Sequence, residues 1–460
     1  SCRVSLLPVF QHLTRGAVAQ LGERMNGIHE VRGSIPLSST KRVNEKREVM
    51  KNDLPFFVRR ILFDFDRDVL ILYTHSKYTQ VKAIRGGTNM LRTKLTALLG
   101  TQHPIIQAGM GPFSNNNLCV ATSSAGVLGL LSTSGLFSKK ESPWIYNAFI
   151  ETAEASLDDD MAGALTAVLK RTYRLTKDKG GVFGINVMVS AELVDLSAIL
   201  IDTAVKVVKE NPAMKNHFKV IFTSAGDPLP WGDKIKSAGF TWLHVVPSVK
   251  AALRCKKAGV DCIVASGHEG GFHTSWEPIH SMTLLPAVVD ALAGSNIPVV
   301  GAGGFCDGKT LAAALVLGAA GAQMGTRFLA TQESDFHPLW KEQVVKTQDR
   351  GTLVARGMVG PARWLKTPTS LEHQKNTLQK SPSIYLDTPD EYSTPGAQEL
   401  VAYERKGIQA VYNGNREKAL MAGGECAQRV EDLPKVQDLV ERIIKDAEDV
   451  LGKAPHFVTG

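Results

Sequence analysis

Cys262-Ile-Val-Ala-Ser-Gly-His-Glu-Gly-Gly-Phe-His273 sets the pattern of this 460-residue chain. An apolar run, Cys262–Ala265, stops at a glycine-rich loop, and a helix-like segment, Ile279–Leu292, follows. A run this short, bounded by glycine, reads as a buried strand. The same unit recurs on both sides. Further runs lie at Ile105–Ala108, Val127–Leu131, Val182–Val187, Lys219–Thr223, Trp242–Val246, Val299–Val300 and Ala322–Met324. Amphipathic segments at Asn115–Ser124, Trp144–Leu175, Ala191–Lys209, Trp231–Ala238, Val249–Ala258 and Gly308–Leu317 separate them. Eight short strands in alternation with helices predict an α/β fold, a closed (β/α)8 TIM barrel. An open doubly wound sheet would carry an early Gly-x-Gly-x-x-Gly, and none follows the first strand.

The barrel is expected over residues 90–330. The second connection, Gly135 to Gly181, is long and is expected to hold an extra helix. Residues 331–460 read as a C-terminal helical extension and lid packed on the barrel. Pro338–Ala355, Gln398–Tyr412 and Val436–Leu451 read as helices, and the polar, proline-containing stretch Thr367–Gly396 reads as an excursion or lid.

Composition narrows the function classes. Hydrophobic residues make up 43% and mean hydropathy is −0.06, enough for a core and too little for a membrane protein. Six cysteines without a Cys-x-x-Cys pair exclude a disulfide scaffold and a common zinc cluster, and fit a reduced cytoplasmic enzyme. The net charge of +8 suggests a polyanion partner, but residues 1–89 hold 15 Lys and Arg against 8 Asp and Glu. The remainder is nearly neutral, so no nucleic acid is expected.

Residues 1–89 differ in texture. Gly16-Ala-Val-Ala-Gln-Leu-Gly-Glu-Arg-Met and Val31-Arg-Gly-Ser-Ile-Pro-Leu-Ser-Ser resemble the peptide made by conceptual translation of a transfer-RNA gene. The segment is therefore expected to be a non-native or disordered extension, with Met90 as the true start. Phe56–Tyr73 reads as a strand, a hairpin or nothing ordered, and no chemistry is expected there.

Barrel enzymes place their chemistry at the C-terminal ends of the strands. Those ends carry Gln107-Ala-Gly-Met-Gly-Pro, Gly184-Ile-Asn186, Thr223-Ser-Ala-Gly226, Gly267-His-Glu-Gly-Gly-Phe-His273, Gly301-Ala-Gly-Gly304 and Gly325-Thr-Arg-Phe. Glycine there lets backbone N–H groups approach a ligand. The loops after strands seven and eight sit where barrels commonly hold a phosphate, and Thr326 could add a hydroxyl. One phosphate tail fits this better than a dinucleotide. His268, Glu269 and His273 lie in a glycine-rich loop, not on one helix face, and no third ligand is evident, so no metal is expected. Taken singly, Gly301–Gly304 could be an ordinary turn and Arg327 a structural ion pair.

In their order these motifs resemble the nitronate monooxygenase (2-nitropropane dioxygenase) family of flavin mononucleotide (FMN) barrels. The resemblance rests on Pro104-Ile-Ile-Gln-Ala-Gly-Met-Gly, Phe183-Gly-Ile-Asn, Val264-Ala-Ser-Gly-His-Glu-Gly-Gly-Phe-His, Pro298-Val-Val-Gly-Ala-Gly-Gly and Gly325-Thr-Arg-Phe. It implies FMN bordered by Met110, Gly111 and Asn186, touched by Gly271, with its phosphate held by Gly303, Gly304, Gly325 and Thr326. It implies His273 as the catalytic histidine. The family usually shows Glu-Ala-Gly-Gly-His in the sixth loop, so Phe272 replaces a glycine and puts the substrate in question. The family's late Ala-Gly-Gln element is matched only loosely, by Ala422-Gly-Gly-Glu425.

The implied activity is oxidation of alkyl nitronates or nitroalkanes by dioxygen to a carbonyl compound and nitrite. The implied partners are that small molecule and dioxygen. A homo-oligomer is compatible, although no interface is legible. The alternatives are an FMN-dependent enoyl-acyl-carrier-protein reductase or an NADH:quinone reductase on the same barrel, and a ligand sensor without turnover. An inosine-monophosphate-dehydrogenase type of barrel would need a nucleophilic cysteine in a strand-end loop, where Cys306 is the sole candidate.

Overall fold

A computed structural model describes residues 91–140, 142–391 and 393–457, and the backbone of three strands nearer the N-terminus. The chain divides into two units, Ser1–Thr88 and Asn89–Gly460. In the first, Val58–Asp64 pairs antiparallel with Val69–Thr74, and Arg47–Glu48 adds to Val58–Asp64. The Phe56–Tyr73 stretch thus contains a hairpin. The remainder of the reading for residues 1–89 falls outside the described residues.

The second unit is a (β/α)8 barrel. Its strands are β1 Ile105–Gln107, β2 Gly129–Ser132, β3 Phe183–Met188, β4 Phe218–Ser224, β5 Thr241–Val246, β6 Cys262–Ser266, β7 Val299–Ala302 and β8 Gly321–Met324. From β2 to β8 each strand pairs in parallel with the next, and β8 pairs with β1. Closure is finished by a parallel bridge between Ile106 and Leu128. The buried Gln107 side chain reinforces that seam. Its Oε1 accepts from the Leu130 N–H at 3.0 Å, and its Nε2 donates to the Leu130 carbonyl at 3.2 Å.

Strand alternation divides the apolar residues into two layers. Ile106, Leu130, Val220, Phe222, Leu243, Val264 and Val300 cluster inside the barrel, together with Leu95 and Leu99 of helix Lys94–Leu99. Ile105, Leu131, Ile185, Ile221, Trp242 and Ile263 cluster with the outer helices. The long second connection holds the expected extra helix: Trp144–Leu175 divides into Pro143–Ala153 and Met161–Thr176.

Helix Val436–Lys453 packs on Gly308–Val316 and Asn116–Ser124, the helices after β7 and β1. It therefore fills the eighth place in the outer ring, and its Val436, Leu439, Val440, Ile443 and Ala447 belong to the barrel's outer core. The fit is close. A Cβ on Gly308 would lie 2.5 Å from the Ala447 nitrogen. Between β8 and that helix, a second core gathers Phe336, Trp340, Leu353, Trp364, Ile408 and Leu420. The expected helix Pro338–Ala355 ends at Lys346, and a hairpin follows, β9 Thr352–Gly357 and β10 Gly360–Leu365. Thr367–Gly396 contains helix Pro368–Lys380, started by a Thr367 cap.

Candidate active site

The site is built from the C-terminal strand ends. Alternation that turns Gly184, Phe222, Val264 and Val300 inward also turns Asn186, Ser224, Ser266 and Gln323 inward, so the apolar interior ends in a polar layer. The Ser224 hydroxyl donates to Asn186 Oδ1 at 3.2 Å. Gln323 Oε1 is buried without a partner. Sequence reading singled out Asn186 and missed Ser224, Ser266 and Gln323, which strand parity alone could have found.

Met110, Gly111 and Asn186 come together on one side. The Met110 N–H donates to Asn115 Oδ1 at 2.6 Å. A Cβ on Gly109 would lie 2.5 Å from Asn186 Cβ, and one on Gly111 would lie 2.4 Å from Ser134 Oγ. The Asn186 carbonyl accepts from Thr133 Oγ1 at 2.7 Å. Backbone and side chain of the first three strand ends are thus tightly apposed.

Gly271, Gly303, Gly304, Gly325 and Thr326 come together on the other side. Gly303 and Gly304 have φ of +82° and +87°, a conformation glycine adopts without steric cost. A Cβ on Gly303 would strike the Gly267 carbonyl at 2.5 Å. One on Gly304 would meet Glu269 Cβ at 3.5 Å, an ordinary van der Waals contact, so there the positive φ rather than a clash favours glycine. A Cβ on Gly325 would lie 3.4 Å from Met110 Sδ, so Gly325 adjoins the other half of the mouth. The Thr326 hydroxyl accepts from the Gly424 N–H at 2.9 Å. Thr326 therefore anchors the Ala422–Glu425 loop, a role the sequence did not suggest. That loop presses on the sixth: a Cβ on Gly271 would lie 2.5 Å from the Gly424 nitrogen.

The sixth loop does not fold back as a free end. Phe272 and His273 form a short strand paired antiparallel with β10, with Phe272 opposite Arg363 and His273 opposite Ala362. Phe272 holds φ +63°, in the left-handed region. Its ring stands edge-on to Trp364 at 5.5 Å and tilted to His273 at 4.3 Å. Gly357 backs His273: a Cβ there would sit 3.2 Å from Nδ1. His273 Nδ1 is buried without a partner, and burial pushes the imidazole pKa down to about 4. The ring is uncharged at neutral pH.

Neighbouring groups are committed to holding the loop. Glu269 accepts from the Ser281 N–H at 3.0 Å and the Ser281 hydroxyl at 2.7 Å, and lies 3.7 Å from His280 Nδ1. The His268 carbonyl accepts from Arg363 Nη2 at 2.9 Å. His268 is also held down to about 4, first by burial, then by Arg363 and His280. Arg327 is a structural cation: its Nη1 lies 3.0 Å from Asp432 Oδ1, and its Nη2 donates to the Ala330 carbonyl at 2.7 Å. Among the described residues no cluster of three His, Cys, Asp or Glu could hold a metal, and no helix is long and apolar enough to cross a membrane.

A closed parallel barrel whose mouth combines paired glycine loops with an uncharged buried imidazole defines a class, the (β/α)8 barrels that carry a site at the C-terminal ends of their strands. The nitronate monooxygenase family pattern matches residues 92–446, and the chain belongs to that family and is an oxidoreductase. It is 30% identical, over 80% of its length and 99% of the relative's, to (3aS,4S,5R,7aS)-5-hydroxy-7a-methyl-1-oxo-octahydro-1H-indene-4-carboxyl-CoA dehydrogenase of Mycobacterium tuberculosis. It is 28% identical to a probable nitronate monooxygenase of Staphylococcus saprophyticus, over 79% of this chain and 99% of that one. Among solved structures, FabK from Thermotoga maritima is 28% identical, with a TM-score of 0.62 over 80% of this chain and 99% of that one.

Proposed function

We propose that the protein is an FMN-dependent enzyme that oxidises alkyl nitronates, and more slowly their parent nitroalkanes, with dioxygen to a carbonyl compound and nitrite. The observation that carries this reading is His273, an uncharged imidazole with an unpartnered buried nitrogen in a loop that borders the glycine cradle. The mouth fits FMN. Gly303 and Gly304, both at positive φ, supply the backbone a phosphate needs, and the polar layer of Asn186, Ser224, Ser266 and Gln323 offers partners to a heteroaromatic ring. FMN, when bound, supplies electron acceptance and the reaction with dioxygen.

The chain's own residues do the rest. A nitronate is an anion, and an anion beside His273 favours the protonated imidazole, raising a pKa that burial had lowered. His273 then stabilises the charge. On a neutral nitroalkane the same ring must first take the proton from the carbon beside the nitro group. A base held near 4 does so poorly, which is why the nitronate is assigned as the better substrate. Phe272 and Trp364 keep water from that side.

A second reading is favoured by the likeness to the M. tuberculosis CoA dehydrogenase along nearly its whole length. A CoA thioester also acidifies a neighbouring C–H, so His273 would keep its task. Cytoplasmic location and a substrate that is a single small molecule belong to the same proposal.

Anaerobic mixing decides between these. Purified protein should be yellow and release FMN on denaturation, and nitronate should bleach the flavin faster than NADH or an acyl-CoA thioester does. Bleaching by NADH alone would assign reductase chemistry, and bleaching by the thioester alone would assign the dehydrogenase reading.

A further inference from the structure

Strand β10 grips the sixth loop at both ends. At the far end the grip is backbone: Phe272 and His273 pair with Arg363 and Ala362, and the Thr274 N–H donates to the Pro361 carbonyl at 2.9 Å. At the near end it is a side chain. Arg363 Nε and Nη2 both donate to the His268 carbonyl, at 3.2 and 2.9 Å. Strand, loop and guanidinium therefore close a ring that starts and ends on β10. Gly270 and Gly271, the pliant residues of the loop, lie within it.

The other end of the guanidinium is committed as well. Its Nη1 donates to Thr352 Oγ1 of β9 at 3.2 Å and lies 3.0 Å from Glu425 Oε1. Glu425 belongs to the loop that presses on Gly271, and its own N–H donates to the Glu269 carbonyl at 2.9 Å. The Arg363 side chain is 6% exposed and that of Glu425 39%, so the guanidinium is the buried, fixed member of the pair. The sixth loop, the Ala422–Glu425 loop and β9 thus meet on one planar fork. The single amine of a lysine cannot hold all three.

We propose that Arg363 is a positioning residue that sets where His273 stands beside the glycine cradle. It acts through the loop from His268 to His273. Proton removal from a neutral nitroalkane needs the imidazole at a set distance and angle, and a misplacement of about 1 Å can cost about 100-fold. Stabilising a nitronate tolerates a looser ring, because Coulomb attraction falls only gradually with distance. Loss of the fork therefore slows nitroalkane turnover more than nitronate turnover. The inference rests on the role of His273 proposed above, so its test includes a reading of the loop that needs no turnover.

The test compares Arg363→Lys with the unsubstituted full chain. Amide hydrogen exchange, measured on the resting protein as purified, should rise at least about tenfold across residues 268–274 and stay unchanged in β1 to β8. In steady-state assays kcat for neutral nitroalkane should fall about tenfold or more at little changed KM, and kcat for preformed nitronate by no more than about threefold. Unchanged exchange in the loop, an even rise over the whole barrel, or equal losses on the two substrates would overturn the positioning role. If the unsubstituted protein turns over neither substrate, the proposed function fails, and exchange in the loop alone decides whether Arg363 fixes it. If Arg363→Lys does not fold, Glu425→Ala decides by the same readings. It removes the partner at the exposed end of the fork, and a loop-confined rise in exchange of about threefold is then expected, with no rise counting against the proposal.

Discussion

Replacing Phe272 with glycine and with alanine should reverse the usual ranking of those two residues. In an ordinary strand alanine is the more stable by roughly 0.5–1 kcal/mol. Phe272 sits at φ +63°, where an L-residue carries about 1–2 kcal/mol of steric cost that glycine escapes. Both substitutions remove a partly buried ring that stands edge-on to Trp364 at 5.5 Å. Full burial would make that loss about 3–5 kcal/mol, so half-burial makes it about 2 kcal/mol. Alanine keeps the strain and should cost about 2 kcal/mol, whereas glycine relieves it and should cost about 1 kcal/mol. In a unit of this size that difference is about 2 °C in Tm, with the glycine variant higher. Differential scanning calorimetry of cofactor-saturated protein reads it directly. An alanine variant melting at or above the glycine variant would show that the backbone at 272 is not strained, and that the ring's contacts do not hold an unfavourable conformation in place.

The other predictions concern the mouth. His273→Asn should lower turnover of neutral nitroalkane by about 100-fold or more, and affect preformed nitronate much less, in steady-state assays; equal losses, or a larger loss from His268→Asn, would reassign the histidine. Gly304→Val should weaken FMN binding at least about tenfold, or about 1.4 kcal/mol, in a fluorescence titration, because φ +87° admits a side chain only with strain. Gly325→Val should do likewise by occupying the space beside Met110, and unchanged affinity in both would place the phosphate elsewhere. Acid should destabilise the fold. His244, His268 and His273 are each held down to about 4, so between pH 6.5 and 4.5 the unfolded chain binds more protons at all three. Buried Glu404, raised to about 8, opposes one of them, and a net uptake of about two protons follows. Stability from these groups is present above pH 6.5 and lost as pH falls toward 4, so a Tm that is flat or rising from pH 6.5 to 4.5 would contradict the histidine environments.

Much of this was legible in the chain because buried parallel strands are short, apolar and closed by glycine. All eight barrel runs match a strand to within about two residues. The hairpin β9–β10 escaped because Gly360-Pro-Ala-Arg-Trp-Leu365 is buried at every position, which erases the alternation that marks a strand. The extra break in Trp144–Leu175 falls at Glu154, where φ is +56°, a feature no residue pattern announces. The glycine loops of the site were legible as motifs. The engagement of Thr326 with Gly424, and the pairing of His273 with β10, join segments about a hundred residues apart and had no local signature.

The eighth outer helix has a consequence for biosynthesis. A ribosome delivers β1 through β8 long before Val436–Lys453, yet the slot for that helix lies between the helices after β7 and β1. Until residue 453 has cleared the exit tunnel, the slot beside β8, between the helices after β7 and β1, lacks its cover. Its leucine and isoleucine partners remain wet, and at synthesis rates of about 5–20 residues per second that interval lasts several seconds. The nascent barrel is a natural client for a chaperone in that window, and a translation pause within the stretch from β8 to Val436 would lengthen it.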